Sequence, residues 1–238
     1  MKANRFLFIF VLVGTMLLAS CNPALRVGAL QTESQSVKLG DAKTVSVDII
    51  FGAGVLDVTG DGEDLLDADF TYNVDKLKPQ VEYADGTLVI SQPETKGIPA
   101  LPGVTGLRNE WGLHLDNQVP MELSVNVGAG MSNLKLSGLS LSGLKITLGA
   151  TEGTIDLSGN WAHDLDVTID AGASNINVLL PKDVGVRVVV DRGPTVIDTQ
   201  GLMKDGDIYT NAAYSVSDVT LHIDLQTGIG TINLLETQ

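Results

Sequence analysis

The chain has 238 residues, with 29 acidic against 15 basic side chains and a formal charge of −14, so its surface repels nucleic acid and anionic lipid head groups. One cysteine rules out any disulfide within a single chain. Aromatics make up only 5% while glycine numbers 26, and the apolar work falls to Val, Ile and Leu. That composition points to strands and turns.

The first segment, "MKANRFLFIFVLVGTMLLASCN", has a basic start at Lys2 and Arg5, an apolar run from Phe6 to Leu18, and the ending Leu18-Ala19-Ser20-Cys21. This is the layout of a secretory signal, with residues 1–20 removed on export. The run is short for a membrane span. "LASC" resembles a bacterial lipobox, which makes Cys21 the expected site of lipidation and the membrane the expected partner through that lipid; the alternative is a plain signal peptide with an incidental cysteine. Two or more acyl chains give stable anchoring. The expected location is therefore the extracytoplasmic side of a bacterial membrane. Residues 21–43 are polar and read as a tether, with one domain over 44–238.

Within that domain, residues 61–120 look irregular. "ADFTYNVD" and "PQVEYADGTLVISQ" are strand-like, with Asp85-Gly86 as a hairpin signal, and the proline-rich stretch from Pro93 to Pro120 reads as a crossover. From residue 121 to 238 the chain repeats itself. With Gly130 as anchor, Gly54, Gly130, Thr151, Gly172, Gly193 and Gly228 fall in one column, the middle four at intervals of 21 residues. Before each anchor, apolar residues alternate with polar ones, as in Leu123, Val125, Val127 and Leu165, Val167, Ile169. Beyond it runs a second inward column, Val58, Leu134, Ile155, Ile176, Ile197 and Ile232. Each unit thus reads as strand, glycine corner, strand and turn, and stacked units bury an apolar ladder that no single unit could bury alone. The expected fold is all-β, a β-solenoid resembling a single-stranded β-helix with coils of about 21 residues, an N-terminal hairpin region and an insertion at about 202–218.

These same runs carry a family resemblance. "VSVDIIFGAGVLDVTGDGEDLLDADFTYN", "YADGTLVISQ", "NEWGLHLDNQVPMELSVNVGAGMSNLKLSGLSLSGLKITLGA" and the closing "GTINL" resemble the bacterial toast-rack domain, which also forms the extracytoplasmic end of LiaF-like envelope-stress proteins and is similar to adhesin-type β-solenoids of bacterial surfaces. The resemblance spans residues 40–238 and implies a solenoid. It brings no catalytic residues to transfer.

The polar side chain following each second-strand inward position gives Thr59, Lys135, Asp156, Asn177, Asp198 and Asn233, from which Asp156, Asn177, Asp198 and Asn233 form the candidate binding face. A stacked Asp/Asn ladder can meet sugar hydroxyls or calcium, or simply keep an outer face wet. "DVTGDGEDLLDAD" is faintly like a calcium loop, but counting from Asp57 the twelfth position is Ala68, where that loop needs an acid. His114, His163 and His222 lack metal-ligand spacing, and no nucleophile elbow or phosphate loop occurs. Trp111 and Trp161 could stack on sugars or fill the core. The sequence therefore predicts no catalysis, no cofactor and no metal, with another envelope protein or a surface glycan as the partner. The first alternative is an envelope-stress sensor engaging a membrane signalling protein. A polysaccharide-degrading β-helix is the second.

Overall fold

The computed structural model describes residues 27–92 and 106–237. The expected leader, Cys21 and the proline-rich segment 93–105 lie outside the described residues. Fourteen strands form one sheet: β1 Gln31–Val37, β2 Val45–Thr59, β3 Leu66–Tyr72, β4 Gln80–Ala84, β5 Thr87–Ser91, β6 Asn109–Leu115, β7 Met121–Lys135, β8 Leu141–Asp156, β9 Leu165–Leu180, β10 Gly185–Arg192, β11 Thr195–Gln200, β12 Met203–Asp205, β13 Ile208–Thr210 and β14 Thr220–Glu236. The long strands β2, β7, β8, β9 and β14 are parallel neighbours, as a solenoid requires.

Each long strand turns a corner halfway along. In β7 the buried side chains are Met121, Leu123, Val125 and Val127, then Ser132 and Leu134, so the inward positions change from odd to even across Gly128–Met131. The two arms of every rung thereby face one apolar core, in which Val47, Leu123, Ile146, Ile155, Leu221 and Ile232 are all at most 1% exposed. Burying an aliphatic side chain contributes about 1.5–3 kcal/mol, and stacking repeats that contribution along the whole ladder.

The corner is built on a glycine ladder. A Cβ placed on Gly128 would lie 2.3 Å from the Gly52 carbonyl oxygen, one on Gly149 2.2 Å from that of Gly128, and one on Gly172 2.8 Å from that of Gly149. The series continues through Gly228 against Gly172 at 2.5 Å and Gly193 against Gly228 at 2.6 Å. At the N-terminal end the Gln92 side chain takes the place of the next rung, its Oε1 accepting the Gly52 N–H at 2.7 Å. The sequence column had Gly54, Gly130 and Thr151 in this place; they stand two residues further along the chain, in the row that continues as Ser174 and Gly230.

Three expectations change. First, residues 31–37 are not tether but an edge strand, β1, paired antiparallel with β3. Second, the irregular region continues the stack: β3 pairs with β6, and β6 lies parallel to the second arm of β2. Third, β9 and β10 are not neighbours, because β14 lies between them, pairing Leu221 with Leu165 on one side and with Val186 on the other. The inserted region forms β12 and β13, which extend the sheet beyond β10, and a 3-10 turn over Ala212–Ser215. Asn211, 1% exposed, ties that turn to the last rung: its Nδ2 donates to the carbonyls of Pro181 and Val184, and its Oδ1 accepts the Val186 N–H.

Candidate functional site

The step from β8 to β9 is 23 residues, not 21, since Leu144 pairs with Val167 and Glu152 with Asn175. The two extra residues are taken up in the turn after Asp156, where Trp161 tucks inward at 9% exposure and donates its Nε1 to the Leu157 carbonyl at 3.0 Å. A shift of two preserves which side chains face the core. It changes which outward side chains stand side by side.

The predicted face is accordingly regrouped. Asn177, Asn233 and Asp198 stand on three successive rungs, Asn177 beside Asn233 and Asn233 beside Asp198. Asp156 does not join them; its neighbours are Lys135 and Leu179, one row over. The row through Asn177 runs instead to Thr154, Asn133 and Asp57. It then crosses Gly112 to Asp69 and Ser34 on the N-terminal strands. Nine strands thus present one outward line, roughly 38 Å long at about 4.8 Å per rung. Asn133, Thr154, Asp57, Asp69 and Ser34 escaped the sequence reading. An alignment on Gly149 with Gly172, the unbroken glycine column, would have brought the first three into register.

The line is partly self-bonded. Asn133 Nδ2 donates to Asp57 Oδ1 at 2.8 Å, Asn233 Nδ2 to Asn177 Oδ1 at 2.8 Å, and Ser34 Oγ to Asp69 Oδ1 at 2.5 Å. Such bonds fix side chains that would otherwise cost conformational entropy on contact with a partner.

Beside this line, on the N-terminal half, sits a group with the residue types of catalysis. His114 Nδ1 lies 2.8 Å from Asp61 Oδ1 and 3.0 Å from Thr59 Oγ1, and the Thr59 hydroxyl also donates to Asp61. Both contacts use the same ring nitrogen. A nucleophile relay needs one nitrogen for the hydroxyl and the other for the carboxylate, so this group cannot pass a proton from Thr59 through the ring to Asp61. The Thr59 hydroxyl, and after it His114, hold the Asp61 carboxyl below the usual range. The calcium-like turn is closed on itself: Asp67 Oδ2 accepts the N–H groups of Glu63 and Asp64 at 2.9 and 3.2 Å, which lowers the Asp67 pKa through the Asp64 N–H first. Among the described residues no three His, Cys, Asp or Glu side chains gather to hold a metal ion.

The tryptophans are core residues. Trp111 is 1% exposed and meets Phe51 and Phe70 edge-on at 5.0 and 5.4 Å between centroids. Neither tryptophan is available to stack on a sugar ring.

A bent ladder of parallel rungs, cornered on glycine and carrying a partly bonded polar line outside, defines an all-β solenoid. Residues 26–179 match the family described as the N-terminal domain of toast_rack, DUF2154, and the chain belongs to that family. Among solved structures, it is similar to a candidate cell adhesion protein from Clostridium sporogenes, at 29% identity and a TM-score of 0.83, over 88% of this chain and 100% of that one. A candidate adhesin from Bacteroides fragilis aligns over 88% of this chain and 97% of its own at 13% identity, with a TM-score of 0.33, too loose to carry an argument. No curated protein matches the sequence.

Proposed function

We propose that this chain is a non-catalytic binding module of the bacterial cell envelope, adhesin-like, exported and held on the extracytoplasmic side by lipid at Cys21. The observation that carries the binding role is the outward line from Ser34 to Asp198, a partly pre-bonded run of hydroxyl, amide and carboxylate groups on eight of its nine strands, interrupted at Gly112. Rigid arrays of this kind suit an extended partner surface, a glycan or another envelope protein, because little side-chain freedom is left to lose on contact. The likeness to the Clostridium sporogenes protein supports the same reading.

Photo-crosslinking in living cells from positions 177 and 233, with and without a cell-wall antibiotic, tests it. A glycan or foreign-surface adduct supports the module. An antibiotic-dependent adduct with a membrane signalling protein would replace it by the stress-sensor reading, and capture from control positions on the opposite arm alone would remove the face from consideration. For the anchor, palmitate labelling is expected to vanish in Cys21→Ala; label persisting on that variant would overturn the lipid assignment.

A further inference from the structure

The two arms end differently. Beyond β14 the first arm continues through β10, β13 and β12, whereas the second arm stops at β11, which pairs with β14 alone among the described strands. Its other edge therefore has no strand partner along the six residues "TVIDTQ" among the described strands, although the Thr195 N–H is taken by the Gly193 carbonyl. At the opposite end of the same arm the free strand is β1, and there a charge sits on the core-facing side: Glu33 is paired with Lys78 at 3.1 Å and accepts from Gln35 at 2.8 Å. Charges turned inward are a standard protection of an edge against pairing. β11 has none on its core-facing side, where Thr195, Ile197 and Thr199 stand, and its outer side exposes Val196 at 56%. Ile197 is left half-buried, although the residues of its row on the two preceding rungs, Ile232 and Ile176, are each 1% exposed.

The core-facing triplet Thr195, Ile197, Thr199 reads the same in both directions. Set antiparallel against itself about Ile197, the strand pairs Thr195 with Thr199, Ile197 with Ile197 and Thr199 with Thr195, all favourable cross-strand combinations, while Val196 falls opposite Asp198 and the two Asp198 side chains are kept apart. A two-fold axis passes through the Ile197 pair, which forms once, and generates the Thr195–Thr199 and Val196–Asp198 pairs twice each. We infer that β11 is a self-association edge, at which two copies of this chain join by antiparallel β11 pairing centred on Ile197, covering the half-exposed isoleucine and merging two solenoids into one sheet. Pairing of β11 on β1 is disfavoured by the Glu33 side, so the assembly closes as a dimer and does not grow into a filament.

The full-length protein, in detergent, tests the register. Residues directly opposite in an antiparallel pair have Cα atoms about 4.5–5.5 Å apart, within disulfide reach. Ile197→Cys is expected to give a reducible dimer under mild oxidant, above the background of wild-type protein carrying Cys21, while Val196→Cys is not. By sedimentation, Val196→Lys, facing Asp198 of the second copy twice over, should tighten dimerisation about fivefold and Val196→Glu should weaken it by a similar factor. Since residue 196 is exposed, neither change should alter the melting temperature of the monomer. Wild-type protein that sediments as a monomer at tens of micromolar would overturn the inference. So would equal crosslinking from positions 196 and 197, or Val196→Lys and Val196→Glu acting alike.

Discussion

Asn177 and Asn233 are 56 residues apart in the chain, yet their side chains are hydrogen-bonded on adjacent rungs, Asn233 Nδ2 donating to Asn177 Oδ1 at 2.8 Å. That contact exists because β14 returns from beyond β10 to lie against β9. The rung order, and with it the outward polar line, therefore depends on where the last long strand docks.

The glycine ladder is a steric requirement. Gly149→Ala should lower stability by about 3 kcal/mol or prevent folding, because its Cβ would sit 2.2 Å from a backbone oxygen that the next rung cannot move. Gly112→Ala, whose nearest neighbour would be the Asp69 carbonyl oxygen at 3.9 Å, should melt within a degree or two of wild type. Paired thermal denaturation curves check both, and equal behaviour would contradict the ladder.

Ile176 and Asn177 face opposite ways, 1% and half exposed. Ile176→Asp places an unpaired charge in the core, where desolvation costs several kcal/mol, and should abolish the cooperative transition by circular dichroism. Asn177→Asp should leave it in place. The reverse pattern would mean that the strand register is displaced by one residue.

Asn211 saturates its side chain on backbone groups of the last rung and of the turn leading into it, and has almost no solvent contact. Asn211→Ala leaves buried carbonyls and one N–H without partners, for an expected loss of about 2–4 kcal/mol. Amide hydrogen exchange should rise first in residues 185–190 and 208–210, ahead of the β7 and β8 rungs; uniform acceleration along the stack would argue against a local keystone.

The Asp61 carboxyl is held below its ordinary range by the Thr59 hydroxyl and then His114. A depressed folded-state pKa contributes stability above the unfolded value, near 4, and loses it as pH falls through the folded value. Asp61 is 68% exposed at its side chain, so the effect on stability is small. The titration itself is the better readout: Thr59→Val should raise the Asp61 midpoint in a carboxyl NMR titration, and an unmoved midpoint would assign the shift elsewhere.

How far the sequence reaches can be seen at particular residues. The alternation at Leu123, Val125 and Val127 and the inward column at Leu134, Ile155 and Ile176 identify buried strand faces correctly, since period two survives any shift of two residues. The same tolerance hides the outward neighbours: a 21-residue spacing sets Asp156 beside Asn177, but the β8 to β9 step of 23 residues puts Thr154 there instead. At β1 the polar string "QTESQSV" has no apolar face to announce a strand, and only pairing with β3 orders it.

By itself the sequence determined the rung: strand, glycine corner, strand, with one face committed to the core, because each of those features is a local consequence of side-chain size and alternation. Only the tertiary structure decided the order of the rungs. Every rung offers its neighbours nearly the same apolar columns and the same side-chain-free corner, so β10 and β14 fit equally well on β9 by pattern. The choice between them rests on non-local contacts, the β12 and β13 pairing beyond β10 and the Asn211 tie to the last rung, which no short stretch of sequence contains.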